Sequence, residues 1–160
     1  MIPYTIREAR RSDAGAVAAL WQEMMELHSA CDPRFRFGPN ALHDVQAHFQ
    51  ETLRSREAAV YVAVAAGDVV GYVLGEMHVR RPLYPAGTYG FISDVAVRQA
   101  WRRRGIGRAL ANRMLHWLKE KGATDIELFA AEANPTAQAF WAALGFRPFL
   151  RMLRLEIRCR

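Results

Sequence analysis

The stretch Val95–Leu110, VAVRQAWRRRGIGRAL, joins a β-branched run to a helical one. Upstream, TYGFISDVAV over 88–97 reads as a strand, and downstream Ile106, Leu110, Met114 and Trp117 recur at helical spacing from about Gly105 to Lys121, with Gly122 just past the end. Two glycines and four arginines therefore stand at a helix mouth. Unpaired backbone N–H groups and about half a positive charge collect there, so a phosphate is stabilised without any side chain. Gly105 and Gly107 remove Cβ atoms that would hold an anion off, and Arg102, Arg103, Arg104 and Arg108 add positive charge outside the turn. The pattern is neither G-x-G-x-x-G nor a P-loop, which disfavours dinucleotide and ATP readings. A plain turn flanked by solvated arginines is the alternative that local evidence leaves open.

Working outward, residues 4–9 read as a short strand, with Ser12 placed to cap the helix that follows. Val17, Leu20, Trp21, Met24 and Leu27 form its apolar stripe; CDPRFRFGP over 31–39 breaks it; Leu42, Val45, Phe49 and Leu53, behind Asn40, restore it. AVYVAVA from Ala59, the turn signal Gly67-Asp68 and VVGYVLGEMHV form a hairpin that the strand over 88–97 extends. DIELFAA over 125–131 reads as a strand, Asn134-Pro135 opens a further helix, and 148–157 supplies a last strand. The expected fold is mixed α/β: one central, mostly antiparallel sheet of about six to seven strands flanked by four helices. The strand-helix-strand unit over 88–131 is parallel through a right-handed crossover. With 160 residues and no linker or repeat, a single domain over 1–160 is expected.

Half the residues are hydrophobic (51%) and 24% are charged, a composition that buries a core and excludes disordered or fibrous classes. No apolar run suits a membrane span, and the N-terminus lacks a basic-then-apolar leader, so the expectation is a cytoplasmic protein with no membrane partner. Cys31 and Cys159 lie far apart and show no metal-ligand spacing, so neither a disulfide framework nor a metal site is expected. The net charge of +6 favours anionic ligands, but no aromatic-interleaved basic strand or reading motif supports nucleic acid.

Arg102-Arg103-Arg104-Gly105-Ile106-Gly107 resembles the R/Q-x-x-G-x-G/A signature of the Gcn5-related N-acetyltransferase (GNAT) superfamily, in its usual place after a strand. Downstream, Asn134, Ala137, Phe140, Trp141, Leu144, Gly145 and Phe146 resemble that family's N-x-x-A-x-x-[LF]-Y-x-x-L-G-F segment. Residues 88–149 carry the specific likeness, and residues 1–87 match in outline. The resemblance implies a GNAT acyltransferase fold, acetyl-coenzyme A, no metal, and direct transfer of an acetyl group to an amine. It implies that Val95, Ala96 and Val97 bind the pantetheine arm through their backbone, with the Val95 amide a donor to the thioester carbonyl. The amides of residues 103–108 would hold the pyrophosphate, and Asn134, with Ala137, Phe140 and Trp141, the rest of the cofactor. A homodimer is common in the family.

Two positions depart from the pattern. Gln99 stands where proline is common, and Trp141 where many members carry a tyrosine proposed to protonate the departing thiolate, a task an indole N–H cannot perform. An amine must lose a proton before it attacks, so a base is needed near the thioester. Asp94, Glu76 and a water held by Ser93 are the candidates. Simple alternation sends Phe91, Ser93 and Val95 to one face of the strand and Ile92, Asp94 and Ala96 to the other. The family builds its acceptor site from the first helices and their loop, here Glu23, His28, Asp32, Arg34 and Phe35, with Tyr84 from the later turn. A small amine or amino-acid-like metabolite is favoured over a protein N-terminus or lysine, because +6 offers no acidic trough for a basic peptide. An idle acyl-coenzyme A sensor is the rival.

Overall fold

The computed structural model describes residues 3–81 and 87–156. Among them, five strands and four helices follow in the order β1 (Tyr4–Glu8), α1 (Ala14–Cys31), α2 (Ala41–Thr52), β2 (Ala58–Ala65), β3 (Asp68–Val79), β4 (Thr88–Val97), α3 (Ile106–Glu120), β5 (Asp125–Leu128) and α4 (Pro135–Ala142). The chain forms two compact units, Met1–Phe129 and Ala130–Arg160.

The first unit holds one sheet in the order β1-β2-β3-β4-β5, antiparallel throughout except for the parallel β4/β5 pair. The mixed architecture and the helix count are as the sequence implies, whereas the strand count is lower. Residues 146–156, expected to contain a last strand, carry no helix or strand, and Phe149, Leu150, Met152, Leu153 and Leu155 are all exposed. Local pattern supplies strand propensity, but a strand exists only when a neighbour takes its N–H and C=O groups. The fifth strand is also shorter than expected, ending at Leu128 instead of 131.

The start of α1 also differs from expectation. Ser12 lies inside a short 3-10 turn, Arg11–Asp13, and no side chain caps α1; the Asp13 carboxylate turns back instead, accepting from the Arg10 N–H at 2.7 Å and from both Arg7 amino groups at 2.7 and 2.9 Å. Hydrogen bonding from Arg7 leads the causes that hold the Asp13 carboxyl below its usual range.

Helix α3 packs on one face of the sheet through Leu110, Met114 and Leu118, all fully buried. Its close approach depends on glycines beneath it. A Cβ at Gly71 would lie 2.9 Å from the Ala96 carbonyl oxygen and 3.1 Å from Leu110 Cδ1. Because a strand carbonyl cannot step aside, Gly71→Ala is expected to cost about 1–3 kcal/mol and lower the Tm, measurable by thermal denaturation. The opposite face carries α1 and α2, whose Val17, Leu20 and Phe49 meet Val60, Val62, Tyr72, Leu74 and Ala96.

Candidate active site

The parallel ladder joins Tyr89–Ile92 of β4 to Asp125–Leu128 of β5 and stops there. Strand β4 runs on to Val97, and among the described residues no strand pairs with 93–97 on that side. The Arg98 N–H donates to the Val70 carbonyl at 2.9 Å, so alternation along the antiparallel ladder turns the Ala96 and Asp94 backbone groups toward β3 and those of Val95 and Val97 away from it. The Val97 carbonyl accepts from Arg102 Nε at 2.8 Å. The Val95 amide is thereby aimed at the open edge, while Ala96 has its backbone toward β3 and its side chain in the core.

The connection to α3 is pinned from α1. Glu23 Oε1 accepts from the Gln99 N–H at 2.6 Å and from Arg102 Nη2 at 2.9 Å. Gln99, standing where the family pattern has proline, thus supplies an N–H that proline lacks. Glu23, expected at the acceptor, has its carboxylate at this turn, and Arg102 faces inward. Arg103 is exposed at φ 61°, and Arg104 donates to the Ala100 carbonyl at 3.1 Å with its guanidinium over the Trp101 ring. Gly105 then takes φ 81°, a conformation that strains any side-chain-bearing residue, and starts α3 without a side-chain cap. Its carbonyl accepts from the Ala109 N–H at 3.0 Å, whereas the Ile106 and Gly107 amides precede the first residue with an intrahelical acceptor. Among the described residues, a Cβ at Gly105 would meet nothing nearer than Tyr4 Oη at 4.0 Å, so the residue just before the helix is uncrowded.

On the other face the simple alternation fails. Leu74 pairs with Asp94 but Gly75 pairs with Ile92, leaving Ser93 as a bulged, exposed extra residue. The bulge puts Ile92, Val95 and Val97 on the α3 face and Phe91, Asp94 and Ala96 on the α1/α2 face. Asp94 therefore lines a cavity of about 260 Å³ whose walls are Val17 and Trp21 of α1, Val45 and Phe49 of α2, and Tyr72 and Leu74 of β3. Asp44 and His48, both exposed, complete the lining. Burial raises the Asp94 carboxyl above its ordinary range and the nearby charge of Glu76 adds to this; the Tyr72 hydroxyl and His48 oppose it. Glu76 lies one cross-strand step along the same face, 3.6 Å from His78 Nε2.

Among the described residues, His28, Asp32, Arg34 and Phe35, also expected at the acceptor, do not line this cavity. His28 packs on the Phe35 ring at 5.3 Å, and burial lowers its pKa. Asp32 is bound by the Arg34 side chain and backbone N–H. Tyr84 lies outside the described residues, as does Cys159. Sequence reading did not single out Asp44 or His48, and it placed Trp21 in the core stripe, where it packs while also lining the cavity. The signal was present in α2, where two polar side chains four residues apart flank the Val45–Phe49 stripe. In the second unit, Asn134 Oδ1 caps α4 by accepting from the Ala137 N–H at 3.0 Å. Trp141 packs edge-to-face on Phe140 and Phe146, at 4.9 and 5.2 Å between ring centres.

Residues 21–146 match the family model described as the acetyltransferase (GNAT) family. The chain belongs to that family. It is similar to aminoglycoside N(6')-acetyltransferase type 1 of Stenotrophomonas maltophilia, 29% identical over 93% of this chain and 90% of that one. It also resembles an N-alpha-acetyltransferase of Sulfurisphaera tokodaii, 32% identical over 62% of each chain. Among solved structures, a mutant of the BH1408 protein of Bacillus halodurans superposes with a TM-score of 0.87 at 26% identity, covering 96% of this chain and 99% of that one. The aminoglycoside N-acetyltransferase AAC(6')-Iy, solved with CoA, gives 0.73 at 19% identity over 99% and 97%, a likeness of fold.

This GNAT acetyltransferase is an N-acetyltransferase that uses acetyl-coenzyme A. The residues of the first unit fit that group: the Ile106 and Gly107 amides, without intrahelical acceptors and beside the uncrowded Gly105, suit a diphosphate, and the unpaired edge at Val95 suits an amide-bearing arm. Among the described residues, no cluster of three or more His, Cys, Asp or Glu side chains is arranged to hold a metal ion, and no helix is long and apolar enough to cross a membrane.

Proposed function

We propose that this GNAT acetyltransferase acetylates a small amine bound in the cavity beside Asp94, by direct transfer and with Asp94 as the general base. The observation that carries the reading is the Ser93 bulge, which puts a half-buried carboxylate against a cavity on one side of β4 and, on the next residue, an amide at the open edge. At about 260 Å³ the cavity is near the lower end of the roughly 300–1,000 Å³ typical of small-molecule pockets, which favours a small acceptor over a folded polypeptide. The likeness to an aminoglycoside acetyltransferase over nearly the whole chain points the same way. The family match runs from residue 21 to 146, across both compact units, and supports reading them as one catalytic domain.

Bound acetyl-coenzyme A supplies an activated acyl group, so the net change exchanges its S–C bond for an N–C bond to the acceptor. Asp94 accepts the proton the attacking amine must lose, a role for which a carboxyl pKa raised by burial is suited, because its basicity moves toward that of the working pH. Val95 donates its amide to the acyl oxygen as negative charge grows there. The Ile106 and Gly107 amides, with Arg103 outside them, bind the diphosphate. Glu23 keeps the turn in shape by holding Gln99 and Arg102. Trp141 offers no acid, so protonation of the leaving thiolate is left to water.

The N-alpha-acetyltransferase relative motivates a second reading, transfer to a peptide N-terminus. The test is thiol release from acetyl-coenzyme A with kanamycin, putrescine, free amino acids and a short peptide with a free N-terminus. Turnover on a small amine is expected. Turnover on the peptide alone would establish the second reading, and tight coenzyme A binding without turnover on any amine would establish an idle binding module.

A further inference from the structure

Tyr72 is fully buried and lines the cavity, and its hydroxyl closes no hydrogen bond within ordinary geometry. A buried donor without a partner costs about 1–3 kcal/mol, so a native chain keeps one only where something compensates. An apolar ring of the same size would fill this site without that cost.

Its surroundings indicate what the hydroxyl serves. Tyr72 pairs across the ladder with Ala96, and Asp94 pairs with Leu74, so phenol and carboxylate are diagonal neighbours on the α1/α2 face. Diagonal positions lie about 7–8 Å apart, within reach of a tyrosine side chain. The two groups feel each other: burial and the Asp94 charge raise the tyrosine pKa well above its ordinary value, and the tyrosine in turn favours the ionised form of Asp94.

We propose that Tyr72 is the positioning residue for Asp94: its buried hydroxyl, unpartnered in this structure, closes on one oxygen of the ionised carboxylate so that the other faces the cavity. This rests on Asp94 being the base. Without such a donor, a carboxylate among Val17, Phe49 and Leu74 has no fixed orientation and ionises less readily. The other titratable groups on this face are Asp44 and His48 from α2, Glu76 and His78 from β3 and Tyr89 from β4, whereas α1 contributes only Val17 and Trp21 to the cavity wall. His48 favours the ionised carboxyl and Glu76 disfavours it, and neither is altered by a change at Tyr72.

Tyr72→Phe deletes one oxygen and keeps the ring, so folding is expected to survive with a Tm no lower than that of the parent protein. The direct readout needs no acceptor. Protein labelled with ¹³C at the aspartate carboxyl carbons is titrated by NMR, and the Asp94 resonance is assigned by its loss in Asp94→Asn. In Tyr72→Phe the Asp94 titration is expected to move up by about half a pH unit or more. With the best small amine found, kcat at neutral pH is expected to fall about tenfold, its acid limb moving the same way and the KM for acetyl-coenzyme A unchanged. An Asp94 titration that stays in place in Tyr72→Phe overturns the proposal. The base assignment is judged separately: if Asp94→Asn keeps the acid limb of the parent enzyme, Asp94 is not the base, whatever Tyr72 does to its titration.

Discussion

Gly107→Glu is expected to abolish binding of acetyl-coenzyme A. Position 107 is the second residue of α3, where the amide has no intrahelical acceptor and the helix mouth carries its positive partial charge. A glutamate there sets a carboxylate in the place of the diphosphate and competes for the same amides. Losing two charge-assisted hydrogen bonds removes about 3 kcal/mol or more, which is about a hundredfold or more in Kd. The fold should tolerate the change, because glutamate is a better helix former than glycine and an acidic side chain in a first turn is favourable. Titration calorimetry with coenzyme A should show the loss, and the Tm should be equal to or above that of the parent protein. Retained affinity would remove the α3 mouth from the cofactor site.

For Asp94→Asn the expected result is a loss of kcat of about a hundredfold or more at neutral pH, within the range for removal of a general base, with recovery as the pH rises and the free amine becomes abundant. A loss that stays constant across pH would point to a structural defect. The same substitution should affect stability in the opposite sense. The native carboxyl pKa is raised, so the native state holds this proton more tightly than the unfolded chain does. Below the ordinary carboxylate range both states are protonated and the site costs nothing. As pH rises through that range and past the raised native value, ionising the half-buried group costs stability. Asp94→Asn should therefore raise the Tm more at pH 8 than at pH 4. A gain in stability together with a loss of turnover is the signature of a charge kept for chemistry.

Much of the fold was legible because the patterns concerned are local. Ile106, Leu110 and Met114 of the α3 stripe and the Asn134 cap hold at the predicted positions, with fully buried Leu118 where Trp117 was expected and the hairpin turn at Ala66-Gly67, one residue before Gly67-Asp68. Ser12 illustrates the limit: it is a good cap by type, but a 3-10 turn forms over Arg11–Asp13, and Asp13 turns its carboxylate back to the Arg10 N–H and the Arg7 side chain. The expected last strand over 148–157 illustrates another, since its apolar residues suit a strand and none forms over 148–156.

The acceptor side was the least legible. Glu23 was assigned to substrate because it is a carboxylate on the first helix, yet it reaches a turn 76 residues away, and no periodicity encodes that contact. His28 and Asp32 likewise find partners in their own loop.

By itself, the sequence determined the family, the helix mouth with its glycines and arginines, and the donor it uses. These follow from backbone geometry and charge carried by consecutive residues. Only the tertiary structure decided which way Asp94 faces and what surrounds it. The bulge at Ser93 arises between two strands paired in space, and one extra residue there reverses the side on which every following side chain stands.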